Sequence, residues 1–187
     1  MAYSLTVNDL NDYAEIISEH VSDANVFSTF VETGTAEGNS VRSVSRYFDK
    51  VFTVEISEVL FNQVNPYLQQ YENVEHVFGD SLIEVPKFLE SLSEDEKVFF
   101  WLDAHWSQGL SSKNHLDCPL IEECKMIDQT YKSDVGLVVI DDLRLFETNE
   151  NEDWSQITKD AVKNAFERFK VIVFEEINDR LLVLIKK

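Results

Sequence analysis

Two short stretches of the chain concentrate groups able to move a proton or hold a cation. Trp101-Leu102-Asp103-Ala104-His105-Trp106 closes one apolar run, and Val139-Ile140-Asp141-Asp142 closes another. If the two runs are neighbours, three carboxylates and one imidazole converge. Burying three unpaired carboxylates is costly. A divalent cation such as Mg2+, which prefers oxygen ligands, is one remedy, with Asp103, Asp141 and Asp142 as candidate ligands. Such an ion can acidify a bound hydroxyl. His105, with an imidazole that ordinarily titrates near about 6.5, is the candidate general base beside a catalytic Asp103. The plainer reading has Asp141 and Asp142 capping a helix or pairing with Arg144, and His105 packed and hydrogen-bonded.

A second constellation starts at Glu32-Thr33-Gly34-Thr35-Ala36-Glu37-Gly38-Asn39-Ser40. An apolar run enters a glycine turn there, and Asn39 or Ser40 can cap a following helix. Gly34 lets a ligand approach the backbone, and Gly38 lets the helix pack near the strand. Glu55 lies 21 positions after Gly34, where an acid receives ribose hydroxyls. Asp80, in Phe78-Gly79-Asp80-Ser81, can accept from an adenine amino group or cap the next helix. Glu32 and Glu37 flank the turn. Their charges oppose a pyrophosphate and suit an ammonium and a sulfonium, which favours S-adenosylmethionine (SAM) over a dinucleotide.

These residues need elements to hold them. Seven runs rich in β-branched and aromatic residues read as strands: Val26–Glu32, Lys50–Glu55, Val74–Phe78, Val98–Asp103, Val135–Ile140, Phe169–Glu175 and Arg180–Lys186. Helical periodicity covers Asn8–Ala24, Ser40–Phe48, Ser57–Gln70, Ser81–Leu92, Leu120–Tyr131 and Asp153–Phe169. Alternating strands and helices imply an α/β, Rossmann-like three-layer sandwich with a mostly parallel sheet. The short link before Arg180 makes the last two strands a C-terminal antiparallel hairpin. Ligands in such sheets sit beyond the carboxyl ends of the strands, where all of these acids fall.

Composition narrows the rest. The 187 residues fit a single domain, with an N-terminal helix over residues 1–25 and the α/β core over 26–187. A 44% hydrophobic content with 13 Phe supplies a full core. No apolar run reaches the ~20 residues of a membrane span, and the start of the chain does not resemble a secretory signal. Two cysteines, Cys118 and Cys124, make neither a disulfide framework nor a structural zinc site, in keeping with a cytoplasmic protein. A net charge of −19 makes nucleic acid a poor partner. A homodimer is compatible with the sequence.

The set VETGTAEGNS, TVEIS, FGDS and FWLDAHWS resembles the SAM-binding motifs of class I methyltransferases over nearly the whole chain. The E-T-G-T-x-x-G-x-S form is similar to a branch of small-molecule O-methyltransferases of the macrocin type. It carries Thr35 and Ala36 where a second glycine is common. The resemblance implies that Glu32 and Gly34 face the methionine part of SAM, that Glu55 holds the ribose, and that Asp80 with Ser81 receives the adenine. Thr33, Thr35, Ser40, Ile56, Gly79 and Asp103 complete the expected lining. It also implies Mg2+ on acids at the strand ends, although the histidine of the sugar enzymes sits slightly further along than His105. Trp106 and the loop Ser107–Pro119 are candidates for the acceptor pocket and its lid. The expected activity is methyl transfer to a hydroxyl of a small, sugar-like acceptor. The rivals are a SAM- or nucleoside-binding protein without transfer, and a nicotinamide-dependent oxidoreductase.

Overall fold

The computed structural model describes residues 4–21, 27–104, 118–149 and 152–187. All seven apolar runs form strands: β1 (Phe27–Thr33), β2 (Lys50–Glu55), β3 (Val74–Phe78), β4 (Lys97–Leu102), β5 (Val135–Ile140), β6 (Lys170–Ile177) and β7 (Arg180–Lys186). They make one sheet in the order β3-β2-β1-β4-β5-β7-β6. Only β7 runs against its neighbours. Asn178 and Asp179 turn the β6–β7 hairpin with φ of 49° and 65°, the left-handed pair that matches strand twist in a two-residue loop.

Side-chain alternation along the strands builds two cores. On one face Val31, Phe100, Leu102 and Val138 pack with Leu89, Ile127 and Val162 from α4 (Ser81–Ser91), α5 (Leu120–Thr130) and α6 (Lys159–Asn164). On the other, Phe30, Phe99, Trp101 and Val139 pack with Tyr13, Val41 and Leu68 from α1 (Val7–Ile17), α2 (Asn39–Val44) and α3 (Glu58–Leu68). β5 is buried along its whole length, as a central parallel strand covered on both faces should be. Among the described residues no helix is long and apolar enough to cross a membrane.

Helix extents depart from the periodicity. Helix α1 opens with a Thr6–Asp9 capping box and stops at Ile17, where the Ser18 hydroxyl donates to the Glu15 carbonyl at 2.7 Å. The expected continuation to Ala24 runs partly outside the described residues. Neither Asn39 nor Ser40 caps α2: Gly38 does, at φ 68° and with no side-chain bond. A Cβ on Gly38 would lie 2.9 Å from Val64 Cγ1, so this glycine admits α3 rather than the strand. The final helix is far shorter than Asp153–Phe169. Thr158 caps its start. It ends at Asn164, and the Asp128 carboxylate then accepts the Arg168 and Phe169 N–H groups at 2.9 and 3.3 Å, holding the approach to β6 out of the helix.

Candidate functional site

The sheet's hydrogen bonding continues past the strand ends and fixes the loops there. Gly34 N–H donates to Val54 O at 3.0 Å, Gly79 N–H to Glu55 O at 3.0 Å, Asp103 N–H to Thr33 O at 3.2 Å and Asp141 N–H to Leu102 O at 3.1 Å. The carboxyl ends of β1 to β5 are thus laced into one platform. The expected pairing of the Asp103 and Asp141 strands is realised, since β4 and β5 are neighbours in register.

Gly34 sits at the centre of this platform with φ 80°. A Cβ there would meet the Asp103 carbonyl oxygen at 2.7 Å and the Ala104 Cα at 3.0 Å, both backbone atoms that cannot swing aside. The turn is therefore pressed against the end of β4, and glycine is required both by conformation and by space. Glu55 is buried, and its carboxylate accepts from the Ala36 N–H at 2.8 Å and the Ser57 N–H at 2.7 Å. One acid therefore holds the glycine turn and the start of α3 together. Its oxygens retain lone pairs for further donors. Asp80 caps α4, accepting from the Leu82 N–H at 3.0 Å. Ile56 and Gly79 are partly exposed beside these acids.

Glu32 lies deeper. It is 2% exposed, and the Thr53 hydroxyl donates to it at 2.6 Å while sharing a 2.6 Å bond with the Thr35 hydroxyl. Burial pushes its pKa up to about 8, and the nearby Asp103 and Glu55 charges push in the same direction. Ser40 also hydrogen-bonds to Glu32 and accepts the Leu5 N–H at 3.1 Å, so it stands behind Glu32 and ties it to the segment before α1. The Thr33 hydroxyl turns to the opposite face, towards Glu123 at 3.3 Å.

The β5 side is built differently. Asp141 is buried and faces Arg180, itself only 3% exposed, at 3.1 Å from Nε. Arg180 also reaches Asp9 at 2.7 Å and the Tyr13 hydroxyl at 3.1 Å, and lies 4.9 Å from the centroid of the Trp101 ring. Burial raises the Asp141 pKa to about 6, against the pull of Arg180. Asp142 has φ 59° and pairs with Arg144, which also binds Asp179 on the hairpin turn. Of the plainer alternatives for Asp142, the pairing with Arg144 is realised; its side chain makes no helix-capping bond. Two of the three expected metal ligands thus face guanidinium groups. Among the described residues no group of three or more His, Cys, Asp or Glu is placed to hold a metal ion. Arginines thus take up the charge of Asp141 and Asp142, which leaves these two poorly suited to a divalent cation.

His105, Trp106 and the lid residues 107–117 lie outside the described residues. Three groups that the sequence reading passed over complete the platform. Thr53 opens the TVEIS motif without an assigned role, and Arg180 lay in no motif. Glu123 looked like an ordinary acid in the first turn of a helix, yet it is 1% exposed, and burial raises its pKa to about 7.

No model of a known protein family matches the chain, and no curated protein matches it in sequence. Solved structures do match in fold. A proposed rRNA methylase from Clostridium thermocellum has a TM-score of 0.61 at 16% identity, covering 98% of this chain and 100% of that one. An rRNA methylase from Streptococcus thermophilus gives 0.55 at 15% identity, covering 96% and 94%. The fibrillarin/Nop5p complex gives 0.59 at 14% identity, covering 93% and 79%. The chain shares the Rossmann-like fold of these structures.

Proposed function

We propose that the protein is a single-domain class I methyltransferase that passes the methyl group of SAM to a hydroxyl of a small, sugar-like molecule, within the macrocin-type branch its motifs resemble. One observation carries the cofactor half: the Gly34 turn is closed to less than a Cβ's width against the Asp103 backbone. That contact holds the turn against the end of β4, where Glu32, Glu55 and Asp103 stand near one another, acids that suit a nucleoside bearing an ammonium and a sulfonium. When bound, SAM supplies an electrophilic methyl group; its transfer to oxygen releases the acceptor's proton and leaves a neutral thioether. Glu55 receives the ribose hydroxyls, Asp80 with Ser81 the adenine edge, and Glu32 faces the cationic methionine end, with Thr33, Thr35, Ser40, Ile56 and Gly79 shaping the wall. His105, two positions after Asp103 in the sequence, takes the acceptor's proton. Alignment of the two reactants supplies most of the rate.

A small acceptor is favoured over RNA by the distribution of charge. Acids crowd the carboxyl edge of the sheet: Glu32, Glu55, Asp80, Asp103, Asp141 and Asp142. The lysines that open β2, β4 and β6 or close β7 (Lys50, Lys97, Lys170 and Lys186) lie on the opposite edge. A polyphosphate strand would meet its like charge at the reactive face. Calorimetric titration with SAM and with NAD tests the cofactor. Binding of SAM alone is expected, and failure to bind SAM would overturn the reading. A tritium-transfer screen of hydroxylated small molecules against total rRNA tests the acceptor. Label in rRNA would replace the small-molecule reading.

A further inference from the structure

The Glu123 carboxylate stands where three site-building elements meet. It projects from the first turn of α5, receives the Ser81 hydroxyl at 2.6 Å from the start of α4, and receives the Thr33 hydroxyl at 3.3 Å from the end of β1. Beside it a cavity of about 10 Å3, room for roughly one water, opens between Leu102, Asp103, Ala104, Asp141 and Trp154. For packing alone an apolar side chain would be the less costly occupant of so buried a position. The carboxylate offers each hydroxyl its own oxygen, Oε1 to Ser81 and Oε2 to Thr33, and the amino end of α5 favours its charge.

We propose that Glu123 is a positioning residue for the cofactor: by clamping Ser81 and Thr33 it fixes the adenine side of the site relative to the glycine turn. This rests on the SAM reading above. The other ionisable groups around it are Asp80 at the start of α4, Glu122 on its own helix, the Cys118 and Cys124 thiols, and Asp103 and Asp141 across the cavity, the last paired with Arg180.

A double-mutant cycle on SAM binding, followed by calorimetry, tests it. Glu123→Gln keeps the shape but removes the charge and replaces one of the two acceptor oxygens with an NH2 donor, and is expected to weaken binding by about tenfold, as loss of a charged hydrogen bond implies. Ser81→Ala should cost a similar factor, and the double variant no more than the larger single loss. The penalty of Glu123→Gln should also be greater at pH 8 than at pH 6, because the native carboxyl is ionised only at the higher pH. A purely structural residue would lower the melting temperature of the folded protein and leave SAM affinity unchanged, which would overturn the proposal; so would additive losses. If Glu123→Gln does not fold, Thr33→Val with Ser81→Ala reads the same coupling from the other side. Native protein that fails to bind SAM at all sinks the cofactor reading, whereas native binding with indifferent variants sinks only the role of Glu123.

Discussion

The two ends of the acidic platform stabilise their carboxylates by different means. On the β1–β3 side, Glu32, Glu55, Asp80 and Glu123 are held by hydroxyls and backbone N–H groups. On the β5–β7 side, Asp141 and Asp142 are held by arginines. Dipoles do not cancel a negative charge, and burial lifts the Glu32 and Glu123 carboxyls to about 8 and about 7, so this side can take on charge when a cation arrives. A guanidinium cancels the charge, and the second side becomes a rigid support with little pull of its own. The same residue type therefore serves binding at one end and architecture at the other. The neighbours, not the acids, decide which.

Breaking the arginine side should have the largest effect. Arg180→Met strands Asp141 and Asp9 in the interior and is expected to destabilise the fold by about 3–5 kcal/mol. Urea denaturation measures this, and adding Asp141→Asn should recover part of the loss. If Arg180→Met is neutral, the two ends do not differ as described. Gly34→Ala attacks the dipole side. The left-handed φ costs about 1–3 kcal/mol in a non-glycine residue, and the turn must also retreat from the Asp103 carbonyl. SAM affinity should fall at least about tenfold, which corresponds to about 1.4 kcal/mol.

Glu32→Gln sharpens the contrast through pH. The ordinary carboxyl value is 4.5, and the folded value is about 8. Between these the unfolded chain ionises while the folded one keeps its proton, so this group lowers stability as pH rises, and its full cost applies above the folded value. Glu32→Gln should therefore gain stability relative to the native protein from about pH 5 to about pH 9, with no gain at the acid end. A cationic ligand favours the ionised form, so SAM binding near neutral pH should release a proton from the native protein and less from the variant. Calorimetry in buffers of differing ionisation enthalpy reads this directly. Arg144→Ala should matter least, within about 1 kcal/mol, because its side chain is 47% exposed. A larger loss would mean that the hairpin clamp is part of the buried support.

The sheet was legible because β-branched and aromatic runs mark strands locally. The expected bounds of β2, β3, β5 and β7 coincide with the observed ones, and the reversal at β7 followed from its two-residue turn. The final helix was not, because a carboxylate on α5 holds the approach to β6 out of it from a distance. In the site, acids at strand ends could be placed by strand order alone. Their partners could not: Arg180 lies 39 residues beyond Asp141 and reads as a cation flanking a hairpin. The burial of Glu123 depends on how α5 settles against α4, which no local pattern encodes.

The bond from Arg180 to Tyr13 joins residues 167 positions apart. During synthesis, α1 can form its helix early but has no ion-paired seat until β7 has emerged and paired with β5. Closure of so long a loop is slow compared with local folding. The floor beneath Asp141 thus needs both ends of the chain, and a nascent chain held short of Arg180 would lack the guanidinium that pairs Asp9 and Asp141.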